Sequence, residues 1–220
     1  MDKRRIRDMQ DMIKVSLKGN DKVVLKAIPG HFITPNSHVN YYLDMTTIKS
    51  RLSEASAAAE ELSKRINPDT IVDTIVCMDG CEIIGAYLAE DLTKAGVISI
   101  NYHKTIYITT PEVASTGQMV FRDNIQPMIK GKNILLLMAS ATTGQTLSKA
   151  IQALNYYGAA ISGISAIFSA ANSSMGIEIK SLFTIKDLPD YKAYAPEGCS
   201  MCKDKKTIDA FANAYGYSKL

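Results

Sequence analysis

Apolar positions along this chain alternate between short unbroken runs and three-and-four-residue repeats, separated by turn residues. In the middle, the apolar run 134–138 gives way to small and hydroxylated residues. Leu147, Ile151 and Leu154 then recur at helical spacing before Gly158. That order predicts a buried strand, a tight loop and a helix starting near Gly144. The same order occurs earlier: a β-branched strand over 71–78, a turn over 79–82, and a helix over 83–94 stopped at Gly96. Further strands are predicted over 97–101, 160–168 and 179–185. Residues 102–123, with Pro111, Gly117 and extended pieces at 105–109 and 118–121, read as a protruding β-arm. Ile48, Leu52, Ala55, Ala59, Leu62 and Ile66 predict one amphipathic helix over 47–66, whose charges, Lys49 among them, read as a solvated face. Ile6, Met9, Ile13 and Leu17 predict a helix over 4–17, either a dimer-contact or hood helix or one that caps a core. A short helix is expected over 207–215. Strands alternating with helices imply an α/β fold, a mainly parallel sheet flanked by helices.

The loop after the central strand has chemical content. Thr142, Thr143 and Thr146 supply hydroxyls and Gly144 admits a close backbone approach. The helix N-terminus presents unpaired N–H groups and a positive dipole end, which suits phosphate. The 79–82 turn is a second such junction, at the strand end where α/β proteins bind ligands. Asp79 and Glu82 offer oxygen ligands for magnesium, or serve as helix N-terminal acids stabilised by the dipole. Over 30–45, Pro35, Asn36 and Ser37 read as a turn between two extended pieces. His31 and His38 are either polar pocket residues or capping histidines, with no metal-ligand companions nearby in the sequence.

The chain has 220 residues, 46% hydrophobic and 21% charged, which is ordinary globular composition and fits one domain. A net charge of +3 is too small to argue for nucleic acid or an anionic membrane. No apolar run reaches membrane-spanning length and no hydrophobic signal core follows Met1, so a cytoplasmic protein is expected. In a reducing compartment the four cysteines point to packing, metal or redox chemistry rather than disulfides. Cys77, inside a strand, reads as core. Cys199 and Cys202 form half a zinc ligand set, or two reduced thiols in a tail turn. Only folding or a partner chain can complete the set.

The strand, Thr-Thr-Gly-x-Thr and helix of 134–154 resemble the phosphoribosyl-pyrophosphate (PRPP) loop of type I phosphoribosyltransferases, orotate phosphoribosyltransferases most of all. The resemblance implies that fold with a small N-terminal hood. It divides the single domain into a hood and base-pocket segment (1–45), a core sheet (70–185) and a Cys-x-x-Cys tail (190–220). Ser140, Ala141, Thr142, Thr143, Gly144, Gln145 and Thr146 match the PRPP phosphate loop, and Asp79, Gly80, Cys81 and Glu82 the pyrophosphate loop. Phe32, Asn36, Ser37, His38 and Tyr42 match the base pocket, with Pro35 where the family's turn carries a lysine. Lys104 is the best match for a catalytic base-bearing loop and Arg122 a weaker one. A Cys-x-x-Cys tail also occurs in some relatives. The implied activity is transfer of phosphoribosyl from PRPP to a nucleobase with Mg²⁺, by a homodimer with no nucleic-acid or membrane partner. The family's paired acids, which hold the ribose hydroxyls, are replaced by Met138 and Ala139. Charge-assisted hydrogen bonds are worth roughly 1.5–3 kcal/mol each, so a weakened enzyme is one expectation. A catalytically silent sensor or scaffold, binding PRPP or a nucleotide 5′-phosphate, is the other.

Overall fold

The computed structural model describes residues 12–94, 100–101, 105–115 and 117–220. Its centre is a parallel sheet built from β4 (Thr74–Cys77), β5 (Tyr107–Thr109), β8 (Asn133–Ala141), β9 (Ala160–Ser169) and β11 (Ile177–Thr184), in the order β11-β9-β8-β4-β5. The short β10 (Ser173–Ser174) adds an antiparallel edge beside β11. Helices α3 (Glu82–Thr93) and α4 (Gln145–Tyr156) follow β4 and β8. Because both faces are covered, the strands are apolar throughout rather than alternating with polar residues. Along β8, Leu135, Leu137 and Ala139 join one core with Ile75, Ile84 and Leu88. Ile134, Leu136 and Met138 join the other with Leu147, Ile151 and Leu154 of α4. The mainly parallel α/β sheet expected from the sequence is the fold observed.

A second, mostly antiparallel sheet forms the hood. Its main path is β12 (Ala193–Tyr194), β3 (His38–Asp44), β2 (Asn20–Ile33), β13 (Ala210–Asn213) and β14 (Gly216–Lys219), with β1 (Ile13–Leu17) pairing to β2. The N- and C-terminal parts of the chain therefore meet in one sheet. In the arm, β6 (Glu112–Val113) and β7 (Met119–Val120) pair as a small hairpin.

Three elements differ from expectation. Part of the helix over 4–17 lies outside the described residues, but Ile13 and Leu17 sit in β1, where only Leu17 is fully buried. The helix expected over 47–66 is broken at Arg51, whose extended backbone (φ −93°, ψ 121°) separates α1 (Thr46–Ser50) from α2 (Leu52–Ser63). The terminal helix is instead the β13–β14 hairpin, in which Ala210 and Ala212 are buried while Phe211 and Asn213 are exposed. Pairing with β2 at Phe32 and Ile33 overrides the helical preference of its alanines. Of the strand expected over 97–101, residues 97–99 lie outside the described set, and Ile100 and Asn101 are in a turn.

Candidate functional site

After α3 the next described strand is β5, on one side of β4; α4 leads to β9, on the far side of β8. The strand order thus reverses between β4 and β8, and the crevice outside their C-terminal ends is where open α/β sheets take ligands. The two loops singled out from the sequence flank it, because β4 and β8 are hydrogen-bonded neighbours, with Met78 N–H donating to Leu137 O at 2.7 Å.

On the β8 side, the strand continues through Ser140 and Ala141, and Thr142, Thr143 and Gly144 turn the chain into α4. Gly144 has φ +75°, the left-handed region glycine enters without steric cost, and a side chain there would meet nothing within 4 Å. Glycine is thus required by backbone conformation, and the loop faces open space. Thr143 and Gln145 are exposed, Ala141 is buried, and Ser140, Thr142, Gly144 and Thr146 are half-buried. Thr142 lies beside the hydroxyl of buried Tyr191, whose ionisation is pushed up by that burial, with Thr142 opposing the rise. Tyr191 was not singled out by sequence, since it lies far along the chain in an unremarkable segment.

On the β4 side, Asp79 and Gly80 take positive φ values of 59° and 77° in succession. This tight turn brings the Asp79 carboxylate beside the backbone N–H groups of Ala139 and Ser140, which favour its charged form. Burial pushes the Asp79 pKa up, opposed by Lys49 and by those two N–H groups. An acid therefore stands beside the Met138–Ala139 segment, supplied by the neighbouring strand. Cys81 gives its N–H to Met78 O (3.1 Å) and is buried, with its thiol pushed well up by burial, whereas Glu82 is exposed. Packing of α3 on β4 is close enough that a β-carbon at Gly85 would lie 2.4 Å from Cys77 Sγ, which confirms Cys77 as core.

Lys49 belongs to this region although its helix read as a solvated face. Its ammonium donates to Asp79 O at 2.7 Å and Ala214 O at 2.8 Å, tying α1, the 79–80 loop and the β13–β14 turn together. The break at Arg51 ends α1 just beyond it. A continuous amphipathic pattern gave no sign of this.

The hood supplies the remaining residues. Asn36 Nδ2 donates to Thr146 Oγ1 at 3.1 Å, so the β2–β3 turn touches the start of α4. Ser37 is buried and satisfied within the turn by Thr34, its N–H donating to Thr34 Oγ1 at 3.0 Å. Phe32 and Tyr42 form an aromatic group with Tyr217 of β14, at centroid distances of 5.8 Å (Phe32–Tyr42) and 4.8 Å (Tyr42–Tyr217). Burial, Asp44 and Tyr217 push the Tyr42 pKa up to about 12, so its hydroxyl remains a donor. A cleft of about 480 Å³ lies between Ile33, Thr34 and Pro35 on one side and Phe211, Tyr215 and Tyr217 on the other.

His38 stands apart from the aromatic group. It faces His31, Cys199 and Cys202, and one ligand atom from each of the four lies within 4.8 Å of the others. The expectation that these histidines lack metal-ligand companions is corrected by the fold, which carries the C-terminal segment back to the hood. Lys104 lies outside the described residues. Arg122 is engaged by Glu112 through two contacts, at 2.7 and 2.6 Å, on the exposed arm.

No family model matches the chain. In sequence it is 24% identical over 186 residues to the orotate phosphoribosyltransferase of Chlorobaculum parvum, covering 83% of this chain and 87% of that protein. The orotate phosphoribosyltransferase of Chlorobium phaeobacteroides is 25% identical over the same length and coverage. Among solved structures, orotate phosphoribosyltransferase from Aeropyrum pernix aligns with a TM-score of 0.51 and 18% identity, over 73% of this chain and 88% of that one. Leishmania donovani UMP synthase aligns with a TM-score of 0.54 and 16% identity, over 74% of this chain and 34% of that one. The chain thus has the phosphoribosyltransferase fold, and in sequence it is similar to orotate phosphoribosyltransferases.

Proposed function

We propose that the chain binds PRPP with Mg²⁺ in the β4–β8 crevice and transfers its phosphoribosyl group to a nucleobase of the orotate class. The observation that carries this reading is the meeting of two helix-capping loops at the strand-order reversal, with the Asp79 carboxylate beside the Ala139 and Ser140 amides. In this reading Thr142, Thr143, Gly144 and Thr146 hold the 5′-phosphate through hydroxyls and N–H groups. Gly80 and the Lys49 ammonium face the diphosphate. Asp79 replaces, from the adjacent strand, one of the ribose acids lost at Met138 and Ala139. The base enters the cleft beside the β2–β3 turn, with Phe32 and Tyr42 behind it.

Asp79 fits a magnesium-bearing ligand: it is an oxygen donor whose charge burial has left costly and which a cation would compensate. Magnesium would supply neutralisation of the departing diphosphate. The chain's own groups position the anomeric carbon and stabilise charge as the bond to diphosphate lengthens, so catalysis rests on orientation and electrostatics. Lys104 is assigned the loop base by resemblance. A homodimer and a cytoplasmic location go with this reading.

One observation favours a second reading, a silent PRPP or nucleotide sensor. Met138 and Ala139 are 1% and 7% exposed and belong to the two cores, so the second ribose acid has no direct substitute at its own position. A turnover assay with PRPP, magnesium and a panel of bases separates the two. Base-dependent release of pyrophosphate that Asp79→Asn reduces supports the enzyme. Saturable PRPP binding with no release for any base supports the sensor.

A further inference from the structure

We propose that His31, His38, Cys199 and Cys202 bind one zinc ion, which clamps the hood hairpin to the C-terminal segment. This does not depend on the phosphoribosyl reading, since the four residues lie outside the β4–β8 crevice.

The distances carry the first part of the argument. His31 Nε2 and His38 Nδ1 are 3.1 Å apart. Cys199 Sγ lies 3.7 Å from His31 Nε2, and Cys202 Sγ lies 3.6 Å from His31 Nε2 and 3.2 Å from His38 Nδ1. A tetrahedron with Zn–N of about 2.05 Å and Zn–S of about 2.3 Å has edges of about 3.3 Å between nitrogens and about 3.6 Å between nitrogen and sulfur. Four of the six edges are therefore already close to those of a zinc coordination sphere, and the other two, both from Cys199, lie within 4.8 Å.

The surroundings carry the second part. His31 Nδ1 lies 3.1 Å from Lys206 O, a partner that can only accept. Nδ1 must carry the proton and Nε2, facing the cluster, is the bare nitrogen. This is the outer-shell arrangement that fixes a metal-binding histidine. Asp209 holds the same residue from the other side: its carboxylate accepts the His31 N–H at 2.7 Å, and its own N–H donates to His31 O at 2.9 Å. A β-carbon at Gly30 would sit 2.9 Å from that carboxylate oxygen, so the glycine permits the approach. His31, His38 and Cys199 are buried while Cys202 is exposed, which leaves a route for the ion. Two thiolates neutralise a divalent ion, so the loaded site buries no net charge. A set of two sulfurs and two nitrogens in tetrahedral array selects zinc, and it contains none of the oxygens that magnesium needs.

The connectivity gives the ion a task. Cys199 precedes the short helix α5 (Ser200–Lys203), and its i,i+3 spacing from Cys202 puts both sulfurs on one side of a single turn. His31 and His38 flank the β2–β3 turn, whose Asn36 reaches Thr146 on the phosphate loop. Zinc would thus join two segments distant in sequence and steady the hairpin whose turn reaches the start of α4.

The test is elemental analysis of the full chain, purified without a histidine tag and dialysed against ZnCl₂ and then zinc-free buffer. Stoichiometric zinc is expected. Cys202→Ser, chosen because Cys202 is exposed, should lower zinc affinity by more than the roughly 10–100-fold that losing an outer-shell partner costs. Cobalt(II) exchanged into the wild type should give the intense visible bands of a tetrahedral site with thiolate charge transfer, and these should be absent from Cys202→Ser. Chelation should lower the melting temperature of the wild type and leave that of Cys202→Ser unchanged. Zinc far below stoichiometry in folded wild-type protein, an octahedral cobalt spectrum, or full zinc retention by Cys202→Ser and Cys199→Ser would overturn the proposal. So would a Cys199–Cys202 disulfide that persists in protein kept under reductant.

Discussion

Placing an acid in the core by Met138→Asp is the most informative perturbation, because that position is packing. Met138 is 1% exposed and lies among Met78, Leu136, Ala141 and Leu147, beneath α4. Truncating a buried methionine costs about 2–5 kcal/mol. Burying an unpartnered polar group adds about 1–3 kcal/mol. The sum, about 3–8 kcal/mol, is a large part of the 5–15 kcal/mol that typically separates folded from unfolded domains. Met138→Asp should therefore shift the urea midpoint strongly downward or prevent folding. Ala139→Asp, on the opposite core face, should also destabilise, since its carboxylate would stand beside that of Asp79. Urea denaturation followed by circular dichroism reads both. A Met138→Asp protein with wild-type stability and faster turnover would refute the assignment of that side chain to the core and the view that Asp79 has taken over an acid's place.

Two further predictions concern the β4 loop. Asp79→Asn, in the absence of ligand and magnesium, should raise the melting temperature while weakening PRPP binding. Burial holds the Asp79 pKa above its ordinary value, so the charged form costs stability at neutral pH and that cost fades as pH falls into the carboxylate range. The variant's advantage should shrink over the same interval; an advantage that grows on acidification would contradict it. Lys49→Met removes donors to Asp79 O and Ala214 O and should cost about 1–2 kcal/mol of stability, below the charge-assisted maximum because water can replace it in part. It should also weaken PRPP binding by roughly tenfold, equivalent to about 1.4 kcal/mol, an effect that added salt diminishes.

Some of this molecule was legible because local pattern and tertiary role coincide. The 134–138 run, the hydroxyl loop and the three-and-four spacing of Leu147, Ile151 and Leu154 each have one physical solution, a buried strand feeding an amphipathic helix. Ile13 and Leu17 have two solutions, because a spacing of four satisfies both a helix face and a period-two strand. The alternation of Val15 with Lys14 and Ser16 carried the strand signal. In β13 the alanines suit a helix, and only pairing with Phe32 and Ile33 decides otherwise. The Cys-x-x-Cys half-site was visible, but its partners His31 and His38 lie at the other end of the chain and meet it only through the hood sheet. Lys49 was hidden for a different reason: a lysine on a charged helix face looks solvated until its helix is seen to end at Arg51.

The central claim, a PRPP site at the β4–β8 crevice, is tested most directly by calorimetric titration of the purified protein with PRPP and magnesium. Saturable binding at one site per chain is expected, abolished by Thr143→Arg at the exposed phosphate loop and weakened by Asp79→Asn. No saturable heat, or binding that both variants leave unchanged, would contradict it.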